Sequence, residues 1–560
     1  MIMELTIIQL VLVGILGFIA MVDGVGPKVF LLALPLVSSA AVGLIFGNLT
    51  IAIMTGATLQ IMLIGAIPIG GASTPDGTSA SIVGSALAVL NYNPSMDLTW
   101  NYAHVILPII PFAIIVAVIG VQVDILARTA NIIWVRRAER AIEKGNIGAI
   151  QTSHLLGFVP WGLSRAILCP LALVLGTAAV SLLTSIALST TGVLAGLIVA
   201  GSILPAAGLA IILSILPFRR MPWFFIMGFS VAAIMVLLSP YLGIIESALN
   251  PILVATGLGF AFALVWVRRK YSSEKTPKPP KSKAEKRVES KNLEQKDLSS
   301  AFRRCFFTFE SSWNYERMQG LGYLFTMLPI LKKIHKDKKE LKEAMKMHME
   351  FFNTNPFIAP WIVGMNAKVE DEGAPPEAIR NLKVGYMGPM AGLGDSLIYF
   401  VIGGIAMLVG SSISYLTGSV LGVIVLWAIF SPLAIIVRFW FFRLGLRTGV
   451  ATAKEMSTGT GLKRVMELTG ATGLATIGAF VPIAVQVGLP ILTFPVELQT
   501  IVNTISLFVI PLALTLVSYL LARKGFSIIK IVLVLFVIGF VAGFIGILAR
   551  TIYWQLSIPS

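Results

Sequence analysis

Residues 531–548 read IVLVLFVIGFVAGFIGIL and hold no charged side chain. A helix rises about 1.5 Å per residue and a bilayer's hydrocarbon core is about 30 Å thick, so this run is long enough to span it. Residues 5–22, LTIIQLVLVGILGFIAMV, read the same way, and further apolar runs lie near 29–47, 51–72, 104–126, 155–187, 193–216, 223–245, 251–267, 397–437, 470–493 and 501–522. Several of these suit helical hairpins or re-entrant segments, so the class follows without a span count. The whole chain agrees. Of its 560 residues 56% are apolar and 12% charged, against about 45–50% and about 25% in soluble domains. Lipid must cover what no soluble core of this length could hide. The expectation is an all-α polytopic membrane protein. The opening MIMELTIIQL has neither a basic leader nor a small-residue cleavage site after the first run, which predicts a retained span rather than a removed signal peptide.

The formal net charge of +16 would suggest nucleic acid in a soluble protein. Here the cations gather beside apolar runs: Arg136-Arg137 to Lys144, Arg219-Arg220, Arg268-Arg269-Lys270, Arg438 to Arg464, and Arg523 to Lys530. That is the positive-inside pattern, and an even number of crossings fits between successive basic loops. No nucleic-acid partner is expected. Cys169 and Cys305 form no disulfide framework, and His104, His154, His335 and His348 have neither metal spacing nor a nucleophile beside them. GYMGPMAGLGDS lacks the lysine and strand of a phosphate-binding loop. No catalytic residue, metal or cofactor is predicted.

The strongest boundary is 271–297, YSSEKTPKPPKSKAEKRVESKNLEQKD, which is too polar to bury itself and reads as a charged flexible cytoplasmic linker. It divides the chain into a membrane domain over 1–270 and a second domain over 298–560. In the latter, 298–383 is expected as cytoplasmic or interfacial helices and 384–560 as transmembrane. LKKIHKDKKELKEAMKMHMEFF (331–352) predicts one amphipathic helix, followed by an acidic turn at EDEGAPPE.

The two halves share an echo. GGASTPDGTSASIVGSAL carries Asp76 and GYMGPMAGLGDSLIYFVIGG carries Asp395, each an acid among Gly and Pro inside membrane-depth sequence. Paired broken helices of this kind point to a transporter site. Each carboxylate either lines a path or caps a half-helix. Asp23 reads as an interfacial residue at a helix end. Gln60 is a lone amide in an apolar segment, suited to a sugar hydroxyl or to gluing two helices. In FRRCFFTFESSWNYERMQGLGYLF, helical spacing would set Glu310, Trp313, Asn314 and Arg317 on one stripe. A carboxylate, an aromatic plate, an amide and a cation are what sugar hydroxyls and C–H faces require, although the same stripe also suits a helix lying on the membrane. Asn353 and Asn355 in FFNTNPF read as a turn or helix start.

ESSWNYERMQGLGYLFTMLPILKKI, HMEFFNTNPFIAPWIVG and LKVGYMGPMAGLGDSL, in that order, resemble the IID subunit of the mannose-family phosphotransferase system. MELTIIQLVLVGILGF, GNLTIAIMTGATLQIMLIG and GGASTPDGTSASIVGSALAV are similar to its IIC subunit. The resemblance covers nearly all of the chain except the linker and describes a natural IIC–IID fusion. It implies a bacterial inner-membrane sugar translocation unit importing a hexose or amino sugar. Phosphorylation would fall to a separate cytoplasmic IIB charged by IIA, and the unit would be a homotrimer in lipid with an elevator-like movement. Many IIC members have Glu where this chain has Gln60, and many IID members have Pro where it has Ser396.

The candidate substrate-binding residues are therefore Gln60, Asp76, Glu310, Trp313, Asn314, Arg317, Asn353 and Asp395. Two other functions remain open at this point: an ion-coupled secondary transporter of a polar solute, and a membrane receptor or scaffold that docks cytoplasmic partners.

Overall fold

The computed structural model describes residues 5–65, 73–189, 191–242, 251–271, 293–458, 460–485, 487–488, 496–546 and 549–550. Most of the expected linker, 272–292, lies outside them. The described chain is almost wholly helical, apart from a two-residue ladder between Val487–Gly488 and Ala549–Arg550.

Among the described residues, six helical stretches are long and apolar enough to cross a membrane: Ile7–Val25, Leu98–Glu143, Ile147–Val180, Pro376–Thr417, Leu421–Arg447 and Ser506–Arg523. The first shows how sequence sets orientation. Thr6 and Gln9 close a capping box at its start. Ile7, Val11, Ile15 and Ile19 fall on its outer face and are exposed, while Val13, Leu16 and Ala20 pack inward. An apolar outer face of this kind suits lipid.

The runs at 29–47 and 51–72 become short helices, Pro35–Phe46 and Leu49–Leu63, with Gly47 in the left-handed region at the turn between them. A third short helix, Gly77–Leu90, packs on both. Hydroxyls stitch it to both: Ser38 to Ser81 at 2.6 Å and Ser85 to Ser39 at 2.7 Å on the first, and Ser85 to the Ala52 carbonyl at 3.2 Å on the second. In the second half the break is milder. Helix Pro376–Gly394 runs into a π-helical stretch, Asp395–Gly403, and then into Gly404–Thr417. Such widened turns concentrate at functional sites.

The halves interlock. Pro222–Leu242 and Pro251–Lys270 of the first pack on Thr460–Ala484 of the second, and Thr191–Ile203 packs on Ile528–Phe544. A Cβ on Gly228 would run into the backbone of Ala475, and one on Gly478 into the backbone of Phe225. Close approach through small residues is how helices associate where lipid removes the hydrophobic drive. At the charged ends of two of these stretches, helices Ile132–Glu143 and Ile147–Leu156 pack against the 293–371 region. Arg136–Glu316, Arg317–Glu139, Lys342–Glu143 and Lys346–Glu143 ion pairs cross between them.

Three expectations need correcting. Segment 331–352 is not one helix: Gly320–Ile334 ends, and Lys338–His348 starts afresh where the Asp337 carboxylate accepts from the Lys339 and Glu340 amides. Residues 309–319 are turns, not helix, because helix Gln295–Thr308 stops there. Arg438 is no loop cation. It is buried within helix Leu421–Thr458, stacked on Phe357 and donating to the Pro27 carbonyl.

Candidate functional site

A cavity of about 310 Å³ lies between the halves. The first half supplies the loop from Asp23 to Leu34, Gln60, the capped start of the helix at Asp76, and Asp124, Arg128, Trp161 and Arg165. The second supplies Glu310, Trp313, Gln319, Asn353, Asp395 and Tyr399.

Asp76 lines the cavity and also caps a short helix. Its carboxylate caps helix Gly77–Leu90 by accepting from the Thr78 amide at 3.1 Å and the Ser79 hydroxyl, and it pairs with Arg165 Nε at 3.0 Å. Helix Leu107–Ala130 comes close enough to receive the Asp76 amide on Ala117 O because Gly120, which faces Asp76, has no side chain. That helix brings Asp124, which pairs with Arg128 Nε at 2.6 Å and Arg165 at 3.4 Å and accepts from Ser73 at 2.6 Å. Two acids and two guanidinium groups thus compensate one another away from water.

The loop after the first span is built on Asp23. Its carboxylate accepts from the amides of Val29, Phe30 and Leu32, so Asp23 is a buried organiser rather than an interfacial residue. Lys28 and Leu31 adopt positive φ, 52° and 58°, a conformation that costs free energy in a non-glycine residue. The second half holds this loop in place. Ser431 donates to Val29 O at 2.6 Å, and Lys28 reaches Glu310 at 2.6 Å and the Tyr399 hydroxyl at 3.0 Å.

On the second half, Gln319 donates to Glu310 Oε1 at 2.9 Å and exchanges hydrogen bonds with the backbone of Thr354. Asn355 caps the following turn by accepting from the Phe357 amide and donates to Asp395 Oδ1 at 2.9 Å. Gly394 makes room for the Asn355 side chain. Gln60 accepts from the Leu36 amide at 3.4 Å and lies 3.1 Å from Met407 Sδ, so it links two helices while also lining the cavity.

Of the eight candidates, Gln60, Asp76, Glu310, Trp313, Asn353 and Asp395 line this one space. Asn314 and Arg317 do not. Without a helix over 309–319 their shared stripe dissolves. Asn314 is buried in its own turn, accepting from the Glu316 and Arg317 amides at 2.9 Å each. Arg317 points to Glu139 at 3.0 Å. Sequence reasoning passed over Lys28, Asp124, Arg128, Trp161 and Arg165. The signal was present: Asp124 falls inside an apolar run, Arg128 just after it and Arg165 inside the next, and an intramembrane charge marks a site by default. Among the described residues no cluster of His, Cys, Asp or Glu could hold a metal ion.

An interlocked helical membrane protein with a polar, acid-rich cavity between two dissimilar halves is the class these features define. Residues 7–265 match the family described as the PTS system sorbose-specific IIC component, and residues 292–548 match the PTS system mannose/fructose/sorbose family IID component. The chain is 32% identical over 270 residues to the mannose-specific EIID component of Escherichia coli K12, covering 45% of this chain and 94% of that protein. To the mannose-specific EIIC component of the same organism it is 29% identical over 233 residues, covering 41% and 82%. A solved structure described as mannose transporter ManYZ with microcin E492 aligns at 30% identity and a TM-score of 0.28, covering 46% of this chain and 98% of that one. The chain belongs to the mannose/fructose/sorbose family of phosphotransferase-system membrane components, with IIC-type and IID-type parts in one polypeptide. It is a multi-pass protein of the bacterial inner membrane.

Proposed function

We propose that this chain is the sugar translocation unit of a phosphoenolpyruvate-dependent phosphotransferase system, importing a hexose or amino sugar that a separate cytoplasmic IIB phosphorylates. One observation carries the reading: carboxylates, amides and indole rings from both halves converge on a single cavity of about 310 Å³, within the range of small-molecule sites. Hydroxyls would be met by Glu310, Asn353, Asp395 and Gln60, and a C–H face by Trp313, while Asp76, its oxygens taken by Thr78, Ser79 and Arg165, would shape the cavity wall. Each net hydrogen bond is worth about 1 kcal/mol, so a few of them select a sugar without trapping it. Phosphorylation then prevents return, because a phosphate dianion is costly to carry back through an apolar path. The domain limits, 1–270 and 298–560 about a cytoplasmic linker, belong to the same proposal, as does assembly as a homotrimer in lipid. The exposed apolar faces of the long helices support the lipid contact.

The test is uptake into proteoliposomes holding the purified chain. Uptake that needs IIA, IIB and phosphoenolpyruvate, and yields phosphosugar inside, is expected. Uptake driven by a proton or sodium gradient without them would instead make the chain an ion-coupled carrier.

A further inference from the structure

Lys383 carries its charge into the interior of the second half, where it is 1% exposed. Backbone, not a carboxylate, meets it. Its ammonium donates to the carbonyls of Met347 at 3.3 Å, His348 at 3.0 Å and Glu350 at 3.0 Å. An ammonium has three donors, and all three are used. Those carbonyls lie at and just beyond the end of helix Lys338–His348, where the backbone dipoles leave partial negative charge. The rings of Tyr323 and Phe352 lie 5.0 and 5.8 Å from the same nitrogen.

This contact is one of four polar ties along helix Pro376–Gly394 and its π-helical continuation. Arg380 pairs with Glu350 at 2.8 Å, Lys383 holds the three carbonyls, and Met387 Sδ accepts from the Asn353 amide at 3.4 Å. Asp395, where the helix passes into the π-helical stretch, accepts from Asn355 at 2.9 Å. Positions 380, 383 and 387 share one helix face by their spacing. All four ties reach one short segment, 347–355. The row begins at an exposed ion pair and ends at the cavity, which Asn353 and Asp395 both line. Stability alone does not call for a cation in the middle of it. An ammonium is costly to take out of water, and apolar packing of similar volume often serves a fold as well or better. What three hydrogen bonds to fixed carbonyls add is register: they set the segment at one position along the helix, where apolar side chains would let it slide.

We infer that Lys383 is a positioning residue for the substrate: by fixing segment 347–355 against helix Pro376–Gly394, it sets Asn353 and Asp395 at the separation at which one sugar engages both. The inference rests on the reading of the cavity as a sugar site. Lys383 is not part of the cavity wall; it acts through Asn353, which follows the turn that it holds.

The experiment uses the full chain in lipid nanodiscs, without phosphocarriers, titrated with mannose, glucose, fructose and the 2-acetamido hexoses and read by calorimetry. Lys383→Met is expected to raise the Kd of the best wild-type sugar about tenfold, the scale of one hydrogen bond to a charged group. In the uptake assay KM should rise while the maximal rate is kept. A double-mutant cycle then separates positioning from general loosening. In an Asn353→Ala background Lys383→Met should add nothing, because the group through which it acts is gone. In a Gln60→Ala background, on the opposite wall, the full tenfold loss should persist. Melting curves identify the folded variants, and Lys383→Gln, which keeps a donor, enters the same cycle if the methionine variant does not fold. An unchanged Kd in the folded variant, or an equal loss in every background, overturns the role: Lys383 is then a helix cap only, and the sugar site stands. Failure of the wild type to bind any of these sugars overturns the site and the role together.

Discussion

Lys28 and Glu310 meet at 2.6 Å inside the cavity, although one belongs to the loop after the first span and the other to the turn after helix Gln295–Thr308. Each side chain is less than one-fifth exposed. Glu310 Oε1 is also fixed by Gln319 and Oε2 by Lys28, so the carboxylate is held ready rather than left to find its geometry. The pair also ties a strained loop of the first half to the second. Glu310→Gln should leave insertion intact and lower sugar uptake by about tenfold, because a charged acceptor is worth more than a neutral one. Lys28→Met should lower stability by about 3 kcal/mol, since it strands a buried carboxylate. The double variant should recover thermal stability but not transport. Melting curves alongside uptake assays separate the two effects, and recovery of both would mean that the pair is structural only.

Asp76 is more heavily engaged than Glu310. Thr78, Ser79 and Arg165 already occupy its oxygens, which leaves little lone-pair capacity for a substrate. Asp76→Asn should therefore reduce uptake chiefly through stability, by about 3 kcal/mol, as Arg165 loses its closest partner. Adding Arg165→Met should restore part of the melting temperature. If Asp76→Asn instead keeps its melting temperature and weakens only the affinity for sugar, the carboxylate contacts substrate directly.

The class of the protein and the two acids at Asp76 and Asp395 were legible in the chain because both rest on local chemistry: unbroken apolar runs, and charge amid glycine where backbone must be irregular. The stripe from Glu310 to Arg317 was not legible, because helical spacing fits that segment as well as turns do. What decides between them is tertiary. Asn131 donates to the carbonyls of Ser311 and Trp313, and Gln319 donates its amide to Phe352 O. Contacts from so far along the chain, 180 and 182 positions away for Asn131, cannot be read from periodicity, which sees only neighbours. Arg128 was hidden differently, since a cation beside an apolar run looks like a loop charge until its buried partner is known, whereas Arg165, inside a run, carried its own signal. It follows that Arg317→Ala should leave the KM for sugar unchanged and cost under about 1 kcal/mol, as expected of a half-exposed ion pair. A large rise in KM would return Arg317 to the site.

Outside the spans, Glu370 sits between two histidines, 2.7 Å from His348 Nε2 and 3.1 Å from His335 Nε2. Burial acts to raise its carboxyl, yet the hydrogen bonds from His348 and His335 outweigh it and hold the group below its ordinary value of 4.5. Burial pushes His348 below its ordinary 6.5. In the unfolded chain His348 takes up a proton as the pH drops through 6.5, while the folded chain resists. The depressed Glu370 adds a second loss in the same direction, below 4.5. The melting temperature should thus be level near neutrality and fall as the pH drops below 6.5. His348→Gln should flatten the upper part of that fall. An unchanged profile in the variant would assign the pH dependence to other groups.

The last prediction concerns what keeps the two halves together once the tether is ignored. Helices Pro222–Leu242 and Thr460–Ala484 cross where Gly228 faces Ala475 and Gly478 faces Phe225, each glycine pressed on the other helix's backbone. Thr256 and Thr476 hydrogen-bond at 3.0 Å, and Lys270 pairs with Glu467 at 2.6 Å, along the same interface. In lipid the gain comes from close packing and polar contacts rather than from expelling water. A side chain at Gly478 cannot be absorbed by a rotamer change, since what it meets is main chain. Gly478→Val should cost about 3 kcal/mol or more by forcing the helices apart. With a protease site placed within 272–292, the cut wild-type halves should still copurify through a tag on one of them. The cut Gly478→Val halves should separate. Copurification of the variant at wild-type yield would mean that the remaining contacts between the halves, such as that of Thr191–Ile203 with Ile528–Phe544, hold them together without this crossing.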